Sequence, residues 1–182
     1  MELRQETVHI YRHGYSEIAR LFKESFPEGE QFPLWALRLL TVLKPAKFSA
    51  FYDGDSLAGI LYSIESTDYF FILYLAVNPK IRSCGYGGKI LEYAFEEAGD
   101  RPVVLNVETL DENAENNEQR KRRNKFYARH DIIDTGYIIE DDGVTYSVLC
   151  SNLDRFSPKS YENMLLDISF GVLNRGVTKK IT

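Results

Sequence analysis

The sequence predicts a single α/β (α+β) domain, with a central mixed, mainly antiparallel twisted sheet flanked by helices and an extra C-terminal helix. Three observations predict it. An apolar run from Tyr69 to Val77 passes through a glycine-rich turn into a helical pattern. Two pairs of β-patterned runs, 48–64 and 137–150, are each broken by turn residues, Asp53-Gly54-Asp55-Ser56 and Asp141-Asp142-Gly143. Apolar side chains also recur at helical spacing in three further stretches. With 182 residues the chain is long enough for one well-filled core and short for two domains, so one domain over 1–182 is expected.

Taken in order, a short strand is expected near Val8 to Tyr11, followed by a helix that places Ile18, Leu21, Phe22 and Phe26 on one face until Pro27 and Gly29 end it. Pro33 suits the first turn of a second helix, on which Trp35, Leu39 and Val42 share a face, and Pro45 closes that segment. Phe48–Tyr52 and Leu57–Ile64 form the first hairpin, and Ser66-Thr67-Asp68 connects it to the apolar strand ending at Val77. Pro79 stops that strand. Ile90, Leu91, Ala94 and Phe95 mark the helix after the glycines, and Arg101-Pro102 introduces a strand from Val103 to Val107. Asp111 to Arg123 is polar or charged apart from Ala114 and reads as a solvated loop leading into a helix start. Tyr137–Ile139 and Val144–Cys150 form the second hairpin. Tyr161, Leu165, Ile168 and Val172 then predict the C-terminal helix over 157–174, either a packed appendage or a contact in a homodimer.

Composition narrows the function classes. Lys and Arg total 22 against 27 Asp and Glu, a net charge of −5, which argues against a phosphate-coating nucleic-acid binder and suits cationic substrates. Two cysteines, Cys84 and Cys150, make no disulfide framework, and Met1-Glu2-Leu3-Arg4 has no apolar signal core, so a cytoplasmic protein is expected. The most apolar run is about half the roughly 20 residues needed to span a bilayer, so no membrane partner is expected. His9, His13 and His130 form no motif with metal-ligand spacing.

The glycine turn carries the chemistry. Gly85, Gly87 and Gly88 fall at the mouth of a helix, where backbone N–H groups lack intrahelical acceptors and the dipole is positive. An anion is held there by main chain if no Cβ blocks its approach, and Arg82 and Lys89 add positive charge. A P-loop needs Gly in place of Ser83 and Ser or Thr in place of Ile90, so that pattern fails twice. The dinucleotide fingerprint also breaks at Ile90. What Arg82-Ser83-Cys84-Gly85-Tyr86-Gly87 resembles is the Arg/Gln-x-x-Gly-x-Gly/Ala loop of the GNAT superfamily of N-acetyltransferases, and Leu75-Ala76-Val77-Asn78-Pro79 resembles that family's lead-in strand end. The order of elements matches the family over about 8–150, and the C-terminal helix lies outside it.

The resemblance implies a GNAT-like domain that uses acetyl-CoA. Its pyrophosphate would sit on the N–H groups of Arg82, Ser83, Cys84, Gly85, Tyr86, Gly87, Gly88 and Lys89, and its pantetheine arm would pair with the backbone of Leu75, Ala76 and Val77. It also implies transfer of an acetyl group to a primary amine of a small molecule or peptide by direct attack. Such transfer requires a neutral amine, a donor for the oxyanion and a proton for the leaving thiolate. Asn124-Lys125-Phe126-Tyr127 resembles the segment ending in the family's Tyr, which makes Tyr127 the candidate general acid; a phenol with pKa near 10 is protonated at neutral pH. Two departures accompany it: Asp131-Ile132 stands where the family often has Gly-Phe, and Arg120 replaces a frequent Asn. An Asp is able to take a left-handed C-cap, so the helix end is expected to survive. Arg120, Arg122 and Arg123 are either coenzyme phosphate contacts or solvated charges.

For the base, Glu65 and Glu108 end strands on either side of the loop-bearing one, and Asn106 shares the Glu108 face, where it could orient substrate or water. Phe32 and Trp35 are candidates to line the acceptor pocket, with core packing as the competing role. The alternative to an enzyme is a catalytically silent acyl-CoA-binding sensor or scaffold.

Overall fold

The computed structural model describes residues 2–9, 14–81, 85–141, 143–169 and 176–180, among which lie eight strands and five α-helices in an α/β arrangement with a mostly antiparallel sheet. Contacts group the chain into two compact units, Met1–Glu65 with Ile72–Glu97, and Ser66–Phe71 with Ala98–Thr182.

The first unit contains β1 (Arg4–Thr7), α1 (Tyr15–Ser25), α2 (Leu34–Leu43), β2 (Ala46–Asp53), β3 (Ser56–Glu65), β4 (Phe70–Val77) from Ile72 onward, and α3 (Tyr86–Ala98) up to Glu97. Its strand order is β1-β2-β3-β4. The expected hairpin is present: β2 and β3 are antiparallel, closing at Asp53 opposite Ser56 around Gly54, whose φ of 58° needs no Cβ. β3 is buried from Leu57 to Ile64 on both faces. α1 contributes Ile18, Leu21 and Phe22 to the core, as their spacing predicts, and α3 contributes Ile90, Leu91 and Ala94.

Two expectations for this unit change. The first strand is Arg4–Thr7, ahead of Val8–Tyr11; Val8 N–H donates to the Phe48 carbonyl at 2.8 Å, while Ile10 and Tyr11 lie outside the described residues. An edge strand is recruited by the free backbone of β2, so its polar sequence Arg-Gln-Glu-Thr gives little apolar signal. On α2, Trp35, Leu39 and Val42 do share a face, but it points to solvent. Trp35 is 69% exposed and Val42 80%, so core packing is not the role of Trp35. Leu37 is the buried residue, and the Tyr62 hydroxyl donates to its carbonyl at 2.6 Å. α2 is apolar on both sides, and periodicity alone does not choose the inward one.

The second unit holds β5 (Val103–Glu108), α4 (Asn117–Ala128), β6 (Ile133–Asp141), β7 (Val144–Cys150), α5 (Pro158–Ile168) and β8 (Val177–Lys179), with strand order β5-β7-β6-β8. The β6–β7 hairpin closes where expected, with Asp141 opposite Val144, and β7 runs antiparallel to β5 with Val148 opposite Asn106. A register shift between Asp134 and Ile138 contains Gly136 at φ 79°. β8, absent from the sequence reading, pairs with the outer edge of β6. α5 begins at a Ser157 cap, whose side chain accepts from Ser160 N–H, and buries Tyr161, Met164 and Leu165. Tyr69, Tyr137, Phe156 and Tyr161 form linked ring contacts, so α5 is packed within this unit; Val172 lies outside the described residues.

Candidate functional site

In the first unit the glycine turn is built from below by three close contacts. Asn78 ends β4 by pinning it to β3: its N–H donates to the Ala58 carbonyl at 2.9 Å and its side-chain amide to the Leu57 carbonyl at 2.8 Å. Its Oδ1 accepts from Lys80 N–H, starting the short turn Pro79–Ile81. Gly59 of β3 lets the helix approach, because a Cβ there would lie 2.5 Å from the Ala76 carbonyl oxygen and 2.6 Å from Ile90 Cδ1. Tyr86, the first residue of α3, is buried and donates from its hydroxyl to Asp53 Oδ2 at 2.6 Å, tying the helix start to the β2–β3 turn.

Of the expected cradle, Arg82, Ser83 and Cys84 lie outside the described residues. Gly85 has φ 78°, a left-handed conformation that favours glycine, and its carbonyl accepts from Lys89 N–H at 3.2 Å. The N–H groups of Tyr86, Gly87 and Gly88 fall in the first turn of a 13-residue helix, where no intrahelical acceptor exists. Two of these three residues carry no side chain to screen an anion. Leu75 and Val77 are half-buried and Ala76 is buried, at the β4 end held by Asn78. Asn78, Gly59 and Asp53 are residues that the sequence reading did not assign to the site. A lone glycine inside a strand pattern signals close backbone approach and could have marked Gly59; nothing in sequence connects Asp53 to Tyr86.

In the second unit, Tyr127 lies near the C-terminal end of α4 and is 6% exposed. Burial pushes its phenol above the ordinary tyrosine value, against a smaller opposing effect of Arg123. Its ring packs against Phe126, and among the described residues no group pairs with its hydroxyl. A buried hydroxyl of this kind ordinarily has a hydrogen-bond partner. α4 ends as the Asp131 reading expects. Asp131 takes φ 58°, and Ile132 N–H returns to the Tyr127 carbonyl at 3.1 Å, which buries Ile132.

Glu108 ends β5 and is buried, but not alone. Its Oε1 lies 2.7 Å from Arg120 Nη2, and Asn116 donates to its Oε2 at 3.2 Å. Arg120 is therefore not a solvated charge, whereas Arg122 is exposed. Asn106, one pleat earlier on the same face, accepts from the Tyr161 hydroxyl at 2.6 Å. Neither partner was legible, because Arg120 and Tyr161 are brought to β5 by separate helices.

Glu65 is half-buried at the end of β3, and its N–H donates to the Pro45 carbonyl. Phe32 is 36% exposed, and its N–H donates to the Tyr74 hydroxyl, which in turn donates to the Glu30 carbonyl. Cys150 is a free, buried thiol whose pKa burial raises. Among the described residues no cluster of His, Cys, Asp and Glu could hold a metal ion, and no helix is long and apolar enough to cross a membrane.

The chain matches the model of the Acetyltransferase (GNAT) family over residues 14–143. Among solved structures it resembles a Bacteroides thetaiotaomicron protein assigned to GNAT acetyltransferases, with 27% identity and a TM-score of 0.70 over 93% of this chain and 99% of that one. A GNAT family acetyltransferase from Elizabethkingia anophelis with acetyl-CoA bound aligns at 11% identity and TM-score 0.60, over 83% and 98% of the two chains. Arabidopsis thaliana Naa50, in complex with the bisubstrate analogue CoA-Ac-MVNAL, aligns at 16% identity and TM-score 0.61, over 84% and 99%. Among curated proteins the chain has no significant match.

Proposed function

Because this chain belongs to the GNAT family of acetyltransferases, we propose that it moves an acetyl group from acetyl-CoA to a primary amine of a small molecule or peptide by direct attack. The observation that carries the proposal is the buried Tyr127 hydroxyl, which no described residue engages. A buried donor without a protein partner is costly by about 1–3 kcal/mol, and a ligand atom that accepts from it removes that cost. The helix start at Gly85 to Lys89, with side-chain-free Gly87 and Gly88, fits a pyrophosphate in the same sense.

When bound, acetyl-CoA supplies a thioester already activated for acyl transfer. The chain's own residues do the rest. The α3 start, with Arg82 to Lys89, binds the pyrophosphate, and the β4 end from Leu75 to Val77 offers backbone groups to the pantetheine arm. Tyr127 keeps its proton on Oη at neutral pH, since burial raises its pKa, and is suited to protonate a departing thiolate. Removal of the amine proton is assigned to Glu65 or to a water that it holds. Phe32 and the exposed Trp35 are assigned to the acceptor side.

The test is acetyl-CoA turnover against a panel of small-molecule and peptide amines, read by thiol release. Turnover is expected, and Tyr127→Phe should lower kcat by about 10²-fold or more with binding of acetyl-CoA retained. Binding of acetyl-CoA without turnover of any amine would instead make the protein a silent sensor or scaffold. Turnover unchanged in Tyr127→Phe at every pH would remove the acid assignment.

A further inference from the structure

We propose that Arg120 is the positioning residue for the Tyr127 hydroxyl, clamping the polar first part of α4 onto the end of β5, and that Glu108 is the anchor of this clamp and not a base. The proposal rests on the acetyl-transfer reading above and extends it to a residue remote from the reacting atoms.

The starting point is what α4 lacks. From Asn117 to Lys125 it has no apolar side chain; Phe126, Tyr127 and Ala128 come only at its end. A helix docked by hydrophobic burial carries an apolar stripe through every turn. Over its first two turns α4 must therefore be held by polar bonds, and Arg120 supplies them. Its Nη2 pairs with Glu108 at 2.7 Å, its Nη1 donates to the Thr109 carbonyl at 2.7 Å, and its Nε donates to Asn116 Oδ1 at 2.8 Å. Asn116 completes the ring by donating to Glu108.

The arrangement suits a guanidinium, whose planar fork reaches several acceptors in fixed directions. All three acceptors lie on β5, on the residue after it, or at the α4 N-cap, so the bonds fix both the position and the rotation of the helix start. Tyr127 lies seven residues later, within about 20° of the same face and about 10 Å along the axis. A helix is stiff over that distance, so a shift at Arg120 is delivered to Tyr127 Oη. Glu108, bonded to both Arg120 and Asn116, serves this anchoring.

The experiment is a double-mutant cycle in the full chain, with steady-state kinetics over pH and amide hydrogen exchange of 117–128. Arg120→Met is expected to lower kcat by about 10- to 100-fold, with KM for acetyl-CoA within about threefold, as befits a misplacement on the order of 1 Å. Arg120→Lys should recover part of the loss. In the Tyr127→Phe background the effect of Arg120→Met should shrink to under about twofold, because it acts through a hydroxyl already removed. Equal losses with and without the Tyr127 hydroxyl would overturn the proposal, as would loss of the acidic limb of the kcat profile in Glu108→Gln. If Arg120→Met does not fold, the paired variant Glu108→Met/Arg120→Met, which leaves neither charge buried alone, enters the same cycle. Absence of turnover in the unmodified protein overturns the functional reading and the positioning role with it. Unchanged exchange at 117–125 in the Arg120 variant overturns the clamp alone.

Discussion

The Tyr161 hydroxyl donates to Oδ1 of Asn106 at 2.6 Å, joining the first turn of α5 to the middle of β5. Asn106 thus carries on one face of β5 a bond to the C-terminal helix, while Glu108, two residues on, carries the bonds to α4. The last helix is in this way made part of the strand that also anchors the helix bearing Tyr127.

Tyr161 is fully buried, so Tyr161→Phe keeps the ring and removes the hydroxyl that donates to the Asn106 oxygen. A loss of about 1–2 kcal/mol is expected, seen as a lower urea midpoint at unchanged slope. A midpoint equal to that of the unmodified protein would show that the bond contributes nothing.

Gly59→Ala tests the close approach beneath the glycine turn. The new Cβ would sit 2.5 Å from the Ala76 carbonyl oxygen, which is backbone and has little freedom to move, and 2.6 Å from Ile90 Cδ1. Overpacking of this kind costs about 1–3 kcal/mol. Because the contact joins β3, the end of β4 and α3, binding of acetyl-CoA should weaken as well. Thermal unfolding and calorimetric titration check both, and an unaffected melting temperature would refute the packing argument.

Alkaline pH should unfold the protein through its buried tyrosines. Burial raises the phenol pKa of Tyr62, Tyr69 and Tyr127 above the ordinary value near 10. Below about pH 10 all three are neutral in both states, so stability does not depend on them. Above it the unfolded chain releases protons that the folded chain keeps, so stability falls with pH until the folded values are reached. Each group adds about 1.4 kcal/mol per pH unit to that slope. Melts from pH 8 to 11.5 should show the fall, and Tyr127→Phe should make it shallower. An identical slope in that variant would contradict the raised value.

Local chemistry explains what was readable in advance. Asp131 is the clearest instance: the helix bearing Tyr127 had to end in a left-handed residue, Asp is among the few side chains that tolerate one, and the structure shows φ 58°. The two hairpins, the strand end at Asn78-Pro79 and the helix start after Gly85 follow likewise from turn residues and periodicity within a few positions. Partners across the chain were not readable. Glu108 looked like a free carboxylate because Arg120 reaches it only after α4 folds back.

The α/β class and the glycine turn at a helix start were legible in the chain alone, since each depends on neighbours within one turn or one strand, while the coenzyme and Tyr127 as the residue to test were implied by the resemblance to the GNAT family. Tertiary structure alone decided which face of α2 turns outward, that β1 begins at Arg4 and that β8 exists, and that Glu108 and Asn106 are held by Arg120 and Tyr161. The physical reason is the same for all of them. An apolar helix face, an edge strand and a buried charge are each satisfied by whichever distant segment packs against them, and that choice is made by the whole chain's burial and hydrogen bonding.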